Sequence, residues 1–322
     1  MKAIVQDTYG SADVLRLRDV DTPVPGDDEV LLQVRAAGVD QGVRHSMTGT
    51  PYLMRVMGFG LRAPKARPGS DVAGRVEAVG AGVTRFKPGD EVFGSCGGSF
   101  AEFACAKQGR LAAKPANLTF EQAAAVPVSA CTALQGLRAG RLAHGQRVLV
   151  IGASGGVGTF AVQIAKALGA HVTGVCGTAK TGLVRSIGAD EVIDYSREDF
   201  ADRPARYDLI LDIGGVRPLA HLRRALTPKG TLVMVGGEDS GMWVGGAVLR
   251  TLRALVMSPF IGHDLRGVFA TVREEDLRHL TELIEAGKVT PAVDRTYPLV
   301  EVPDAIRYLS DGHARGKLVI TV

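Results

Sequence analysis

Aromatic residues make up only 5% of this 322-residue chain. It also lacks a block of like charges, a C-x-x-C pair and an apolar run of membrane-spanning length. Each lack excludes something. The formal charge of +4 is dispersed along the sequence, so nucleic acid is not expected as the primary partner. Cys96, Cys105, Cys131 and Cys176 lie far apart, which fits neither a disulfide framework nor a zinc ribbon. They read as ordinary small buried residues in a reducing compartment. The most apolar late stretch, Met242 to Met257, is interrupted by Arg250 and Arg253 and is too short to span a bilayer. No membrane partner is expected. The opening Met1-Lys2-Ala3-Ile4-Val5-Gln6-Asp7 meets an acid before an apolar segment can build, so no signal peptide and a cytoplasmic location are expected. With 46% hydrophobic and 22% charged residues, the disordered class is excluded.

Glycine, by contrast, is abundant. The chain has 41, where an average composition of about 7% would give roughly 23. No G-X-Y repeat is present, so the excess must serve turns and close backbone approaches. The length implies two domains. Up to about Pro115, short β-like stretches (Val30 to Val34, Ala73 to Val79, Glu91 to Phe93, Phe100 to Phe103) are separated by turn signals such as Pro23-Val24-Pro25-Gly26 and Lys87-Pro88-Gly89-Asp90. From about Phe120 helix and strand alternate. A helical pattern from Phe120 to Ala139, interrupted by Pro127, is followed by strand Arg147 to Ile151, helix Gly156 to Leu168 and strand Val172 to Val175. Helix Thr181 to Ile187, strands Glu191 to Ile193 and Leu209 to Leu211, helix Pro218 to Leu226 and strand Thr231 to Val235 continue the series. Such alternation predicts an α/β fold with a doubly wound parallel sheet. After about Phe260 the pattern changes again: a helix over Glu274 to Ala286, an extended Thr290 to Leu299, a helix over Val302 to Leu309 and a last strand from Lys317 to Val322. This tail is expected to rejoin the first domain.

The strongest constellation is Val148-Leu149-Val150-Ile151-Gly152-Ala153-Ser154-Gly155-Gly156-Val157-Gly158. A strand runs into a glycine loop that opens a helix, the context in which such a loop binds a dinucleotide. Small residues admit a pyrophosphate, and the free N–H groups and helix dipole bind its charge. Gly152, Ser154, Gly155, Gly156, Val157 and Gly158 are therefore candidate cofactor contacts, although the spacing is G-x-x-G-x-x-G. The second strand runs into Val175-Cys176-Gly177-Thr178-Ala179-Lys180 with no acid to accept ribose hydroxyls. NADP(H) is favoured over NAD, with Gly177, Thr178 and Lys180 at the phosphate and Arg185 as an alternative cation. Gly214 in Asp212-Ile213-Gly214-Gly215, and Gly236 and Gly237 after the fifth strand, are expected where ligands meet strand carboxyl ends.

Gln122-Ala123-Ala124-Ala125-Val126-Pro127, the Gly152 to Gly158 loop, Gly188-Ala189-Asp190-Glu191-Val192-Ile193-Asp194-Tyr195 and Ile284-Glu285-Ala286-Gly287-Lys288-Val289 together resemble the medium-chain dehydrogenase/reductase superfamily, and within it the zinc-independent quinone oxidoreductase branch. The resemblance spans nearly the whole chain. It implies a GroES-like β-rich catalytic domain of residues 1–119 and 261–322 around a Rossmann NADP-binding domain of residues 120–260, with a cleft between them and a homodimer formed through the Rossmann sheet. Zinc-dependent relatives have Cys and His where Asp40 and Ser70 stand here, so no metal site is expected. Thr132 matches a helix that abuts the nicotinamide in similar enzymes.

Without a zinc ion to polarise an alcoholate, an already electrophilic acceptor is the expected substrate. A quinone or an α,β-unsaturated carbonyl requires only orientation and a hydrogen-bond donor to the developing anion. Similar enzymes place the segment from Asp40 to Tyr52 beside the nicotinamide, commonly with Asn where Asp40 stands. Tyr52, His45 and Asp40 are the candidate catalytic residues: Tyr52 as donor or as cleft wall, His45 as donor or packed histidine, and Asp40 as a group that could orient His45. Arg315-Gly316-Lys317 offers a cation or a solvated turn. An NADP-dependent carbonyl or enoyl-thioester reductase is one alternative, and a crystallin-like or RNA-binding scaffold with little turnover is another.

Overall fold

The computed structural model describes residues 1–53, 55–56, 60–61, 67–202, 206–236, 246–258 and 261–322. Turn chemistry divides the first part into short strands: β1 (Lys2–Gln6), β2 (Leu15–Asp19) and β3 (Glu29–Val39), then β4 (Asp71–Val79), β5 (Glu91–Ser95), β6 (Phe103–Lys107) and β7 (Leu111–Ala113). A helix that the β-like pattern did not announce, α1 (Gln41–Thr48), follows β3. Pro127 splits the expected Phe120 to Ala139 helix. α2 (Phe120–Ala124) starts on a capping box between Thr119 and Gln122, and α3 (Pro127–Ala139) begins at the proline itself. Proline suits that position because its missing N–H would have had no helical partner.

Alternating elements follow: β8 (Arg147–Ile151), α4 (Gly156–Ala167), β9 (His171–Cys176), α5 (Thr181–Ser186), β10 (Glu191–Asp194), β11 (Tyr207–Asp212), α6 (Leu219–Arg224), β12 (Leu226–Met234), α7 (Gly246–Met257) and β13 (Asp264–Gly267). These strands form a parallel sheet in the order β10-β9-β8-β11-β12-β13. The order reverses between β8 and β11, the switch point where such sheets bind ligands. Leu149, Ile210, Leu222 and Leu232 are among the fully buried residues of its core. β13 was not expected. It has four residues of which only Leu265 is buried, too few for a hydrophobic pattern.

The chain then returns through α8 (Glu274–Glu285), β14 (Val293–Pro298), α9 (Val302–Ser310) and β15 (Lys317–Thr321). The first unit's sheet has the order β14-β15-β3-β4-β5-β7, with β6 also paired to β3. β15 lies antiparallel to β3, so the last strand stands beside one formed near the start. Two compact units result: residues 1–131, 272–286 and 291–322, and residues 132–271 with 287–290. The first seam falls inside α3, later than residue 119, because α2 and the head of α3 belong with the β-rich unit, where the Val128 N–H donates to Asp71 Oδ1 at 2.8 Å. The second falls after β13, not at residue 260. Residues 287–290 stay with the second unit because Gln163 Nε2 donates to the Thr290 carbonyl at 3.0 Å, while its Oε1 accepts the Thr290 N–H at 2.8 Å.

In the first unit, Lys317 does not form a solvated turn. Its Nζ donates to Asp71 Oδ2 at 2.9 Å, and the two side chains are 2% and 0% exposed. Burial, opposed by Lys317 and reinforced by Asp40, raises the Asp71 carboxyl to about 6. Removing one partner of such a pair typically costs about 3–5 kcal/mol. The folded carboxyl thus binds its proton up to about pH 6, the unfolded one only to about pH 4. Its contribution to stability is complete below about pH 4 and is lost as pH rises through about 6. Urea titrations of the wild type and Asp71→Asn at a series of pH values test this: the wild type should lose stability relative to the variant across that window, and a pH-independent difference would contradict it.

Candidate active site

In the second unit, the candidate dinucleotide cradle begins at the carboxyl end of β8. Gly152 turns the chain at φ 85°, in the left-handed region, and the Gly152 and Ala153 N–H groups donate to the Val175 carbonyl at 3.2 and 3.1 Å. This holds the loop against β9. Gly158 has to be glycine: a Cβ there would lie 2.1 Å from the Gly152 carbonyl oxygen. Gly155 differs. It caps α4 with no side-chain hydrogen bond, and beyond the Gly152 oxygen at 3.5 Å a Cβ would meet nothing within 4 Å. The head of α4 thus offers uncapped N–H groups beneath open space, and Gly155, Gly156 and Val157 stand half-exposed around it, with Ser154 buried below. These residues fit a dinucleotide pyrophosphate.

The neighbouring strand ends complete this cradle. Gly214 lies beside the loop, its N 3.4 Å from the Cβ position of Gly152. The Gly215 N–H donates to the buried Asp212 carboxylate at 3.1 Å, and Arg250 of α7 pairs with the same carboxylate. Gly236 approaches within 3.3 Å of the Ile213 carbonyl, counted from its Cβ position. Gly237 lies outside the described residues. Thr132 follows from helix packing: Gly140 and Gly136 seat α3 against Leu209 and Leu211 of β11, and Thr132, four residues earlier still, is next in that row, level with the end of the strand.

At the end of β9, Thr178 is exposed, and Gly177 and Lys180 are half-buried in the turn that follows. The structure adds an acid that β9 itself lacks. β10 pairs with β9 so that Asp194 stands opposite Cys176, and its carboxylate accepts the Thr178 hydroxyl at 2.6 Å and the Ser196 hydroxyl and N–H at 2.7 and 3.0 Å. The hydrogen bonds from Thr178 and Ser196 hold that carboxyl below its ordinary range. Tyr195 is 58% exposed, and its hydroxyl oxygen lies 3.2 Å from the Cβ position of Gly177. Asp194 and Tyr195 were missed because only strand pairing brings them to the turn. Cys176 is chemically quiet: burial first, then Asp194, raises its thiol to about 11.

In the first unit, Asp40 caps α1. Its Oδ1 accepts the Val43 N–H at 3.1 Å, and its Oδ2 accepts the Ser70 hydroxyl at 3.0 Å. The two positions that carry metal ligands in zinc-dependent relatives thus meet as a hydroxyl–carboxylate hydrogen bond. Nearby, burial and then Asp71 push the Cys96 thiol up to about 12. Among the described residues no group of three or more His, Cys, Asp or Glu could hold a metal ion. Asp40 does not orient His45 as expected. His45 Nδ1 lies 3.0 Å from the Thr50 carbonyl oxygen, which can only accept, so Nδ1 carries the proton and Nε2 donates only when the ring is an imidazolium. Tyr52 follows, half-buried, beyond the end of α1.

Two family models match, "Alcohol dehydrogenase GroES-like domain" over residues 26–116 and "Zinc-binding dehydrogenase" over residues 187–320. The mitochondrial NAD(P)H oxidoreductase RTN4IP1 of Mus musculus is 36% identical, covering 100% of this chain and 89% of that protein. The chloroplastic NADPH-dependent alkenal/one oxidoreductase of Arabidopsis thaliana is 34% identical over 99% of this chain and 79% of its own length. Among solved structures, the quinone oxidoreductase of Coxiella burnetii superposes with a TM-score of 0.88 at 28% identity, covering 100% of this chain and 99% of that one.

The two loop glycines separate folding from binding. Gly155→Ala should fold with unchanged thermal stability yet bind a nicotinamide dinucleotide at least about ten-fold more weakly, whereas Gly158→Ala should lower the melting temperature as well; equal behaviour of the two variants in thermal melts and fluorescence titrations would refute the assignment of the Gly155 opening to the cofactor. The glycine cradle, the switch-point sheet and the sheet built from both ends of the chain, together with these relatives over essentially its full length, place the chain in the medium-chain dehydrogenase/reductase superfamily, in its quinone oxidoreductase-like branch.

Proposed function

We propose that the chain is a zinc-independent reductase that uses NADPH to reduce a quinone or an α,β-unsaturated carbonyl. The Asp40–Ser70 hydrogen bond carries this reading. It leaves a hydroxyl and a carboxylate, engaged with each other and with the start of α1, where zinc-dependent relatives hold their metal. The names of the relatives support the acceptor class: one acts on alkenals and alkenones, and one matching structure is of a quinone oxidoreductase.

When bound, the dinucleotide supplies a hydride. What the chain must add is orientation and a proton for the oxygen on which charge develops. Tyr52 is assigned that proton, and His45 in its imidazolium form is the second donor. Asp40 is assigned to fixing α1, because its carboxylate already accepts two hydrogen bonds. Gly155 to Gly158 hold the pyrophosphate, Thr132, Gly214 and Gly236 the nicotinamide side, and Gly177, Thr178 and Lys180 the adenosine ribose.

NADPH is supported by the absence of an acid at the end of β9 and by Lys180 and Arg185 close by in the sequence. Asp194 favours a second reading, NADH, since a carboxylate beside Thr178 can accept a ribose hydroxyl and repels a phosphate. Its negative charge, however, is already met by Thr178, Ser196 and Arg197. Four free cysteines fit a reducing compartment, and we read the location as cytoplasmic. No helix among the described residues is long and apolar enough to cross a membrane.

Oxidation of NADPH and NADH with a quinone, an enone, an enoyl thioester and a simple aldehyde, each with and without a chelator, tests the reading. The expected result is chelator-insensitive turnover of quinone and enone with tighter binding of NADPH, and about a hundred-fold lower kcat for Tyr52→Phe. Loss of activity to the chelator would overturn the zinc-free mechanism, tighter NADH binding would overturn the cofactor choice, and unchanged kcat in Tyr52→Phe would remove that residue from the chemistry. A homodimer is also proposed. β13 is the terminal strand of its sheet, and Leu249, Leu252 and Val256 of α7, the helix packed on it, are exposed. Sedimentation velocity should give twice the monomer mass, and a monomer at micromolar concentration would reject the assembly.

A further inference from the structure

The segment that carries Tyr52 is held by an arginine in contact with two aromatic rings. The Arg55 Cζ is 4.1 Å from the centroid of the Tyr9 ring and 4.7 Å from that of the Tyr52 ring. In the plane of the guanidinium, Nε donates to the Gly49 carbonyl at 2.8 Å and Nη2 to the Thr48 carbonyl at 3.1 Å. These carbonyls belong to the last residue of α1 and its cap, where the helix has oxygens without intrahelical partners and the negative end of its dipole. Tyr9 reaches further, its hydroxyl donating to the Gly60 carbonyl at 2.7 Å. Arg55 therefore holds the backbone at Thr48 and Gly49, and Tyr9 holds it at Gly60.

The shape of the guanidinium explains why one residue can do this. A guanidinium can meet aromatic rings while its N–H donors serve carbonyls in a fixed fork, a combination a lysine ammonium cannot reproduce. Gly49 follows from the same packing. Its φ of 63° already favours glycine, and a Cβ would fall 2.5 Å from Arg55 Nε and 2.6 Å from the Tyr9 ring. Among the described residues no carboxylate forms an ion pair with Arg55, so ring faces and carbonyl dipoles carry its charge.

We propose that Arg55 is a positioning residue for the reduction: in cation–π contact with both Tyr9 and Tyr52 and bonded to the C-terminal end of α1, it fixes the Tyr52 phenol relative to the helix that carries Asp40 and His45. This rests on the reading that Tyr52 serves the acceptor. Misplacing a reacting group by about 1 Å can lower the rate a hundred-fold, so a contact that sets the ring position matters even though Arg55 is assigned no contact with substrate.

The test is a double-mutant cycle on the full-length protein with NADPH and a quinone, using Arg55→Lys, Arg55→Ala, Tyr52→Ala and the Arg55→Ala/Tyr52→Ala double variant. Both Arg55 variants should lower kcat/KM for the acceptor by about ten-fold or more, leave the NADPH dissociation constant within about two-fold, and have no further effect where Tyr52 is already alanine. Added methylguanidinium should restore part of the activity of Arg55→Ala and none of that of Arg55→Lys. Additive losses in the cycle, or NADPH affinity falling in step with kcat/KM in both Arg55 variants, would overturn the proposal in favour of a general structural role. If Tyr52→Ala keeps full activity, the assignment of Tyr52 fails and takes the proposal with it. If Tyr52→Ala is impaired while the Arg55 variants match the wild type, only the proposal about Arg55 fails.

Discussion

The ion pair between Asp71 and Lys317 is the constraint around which the first unit is arranged. Two residues 246 apart in the chain meet with essentially no exposure, which is tolerable only where each charge has a partner. Their meeting requires a bare backbone at Gly38 on the intervening strand β3, since a Cβ there would lie 2.8 Å from Asp71 Cβ and Oδ2 and 2.5 Å from the Ala124 carbonyl oxygen. The other Asp71 oxygen takes the Val128 N–H at the head of α3. One carboxylate thus fastens the last strand of the chain, the strand on which it sits and the start of the helix by which the chain leaves for the second unit.

The second unit works by another rule. Its sheet buries aliphatic side chains on both faces and concentrates its irregular backbone at the strand ends, where glycine replaces side chains. Gly158, Gly136 and Gly140 each admit a neighbour that a Cβ would displace, and Gly152 turns the chain in the left-handed region, whereas a Cβ at Gly155 would come no closer than 3.5 Å to the protein. That distinction separates a glycine that builds the fold from one that leaves room for a ligand.

Much of the second unit was legible because parallel strands buried on both faces read as continuous apolar runs and the glycine loop has a fixed place between strand and helix. β13 was not, since a four-residue edge strand with one buried side chain leaves no periodicity. Asp194 sat in a quoted motif, but its approach to Thr178 depends on the register of β10 on β9. In the first unit, α1 was obscured by its polar residues, and the pairing of Lys317 by its distance from Asp71. Local pattern announces elements; it does not announce which buried charge will answer another. Among the candidate catalytic residues, the segment was found from resemblance, while the partners of Asp40, His45 and Tyr52 came only with the coordinates.

The cap on α1 has a consequence for how such sites diversify. Aspartate and asparagine cap helices about equally well: an asparagine here would still accept the Val43 N–H on its Oδ1, and its Nδ2 would donate to the Ser70 hydroxyl oxygen where the second Asp40 oxygen now accepts. The start of the helix is therefore indifferent to whether this position bears a charge. A neutral residue can replace a negative one here with the cap retained, and the change would be felt instead by the buried Asp71, whose carboxyl the charge of Asp40 raises.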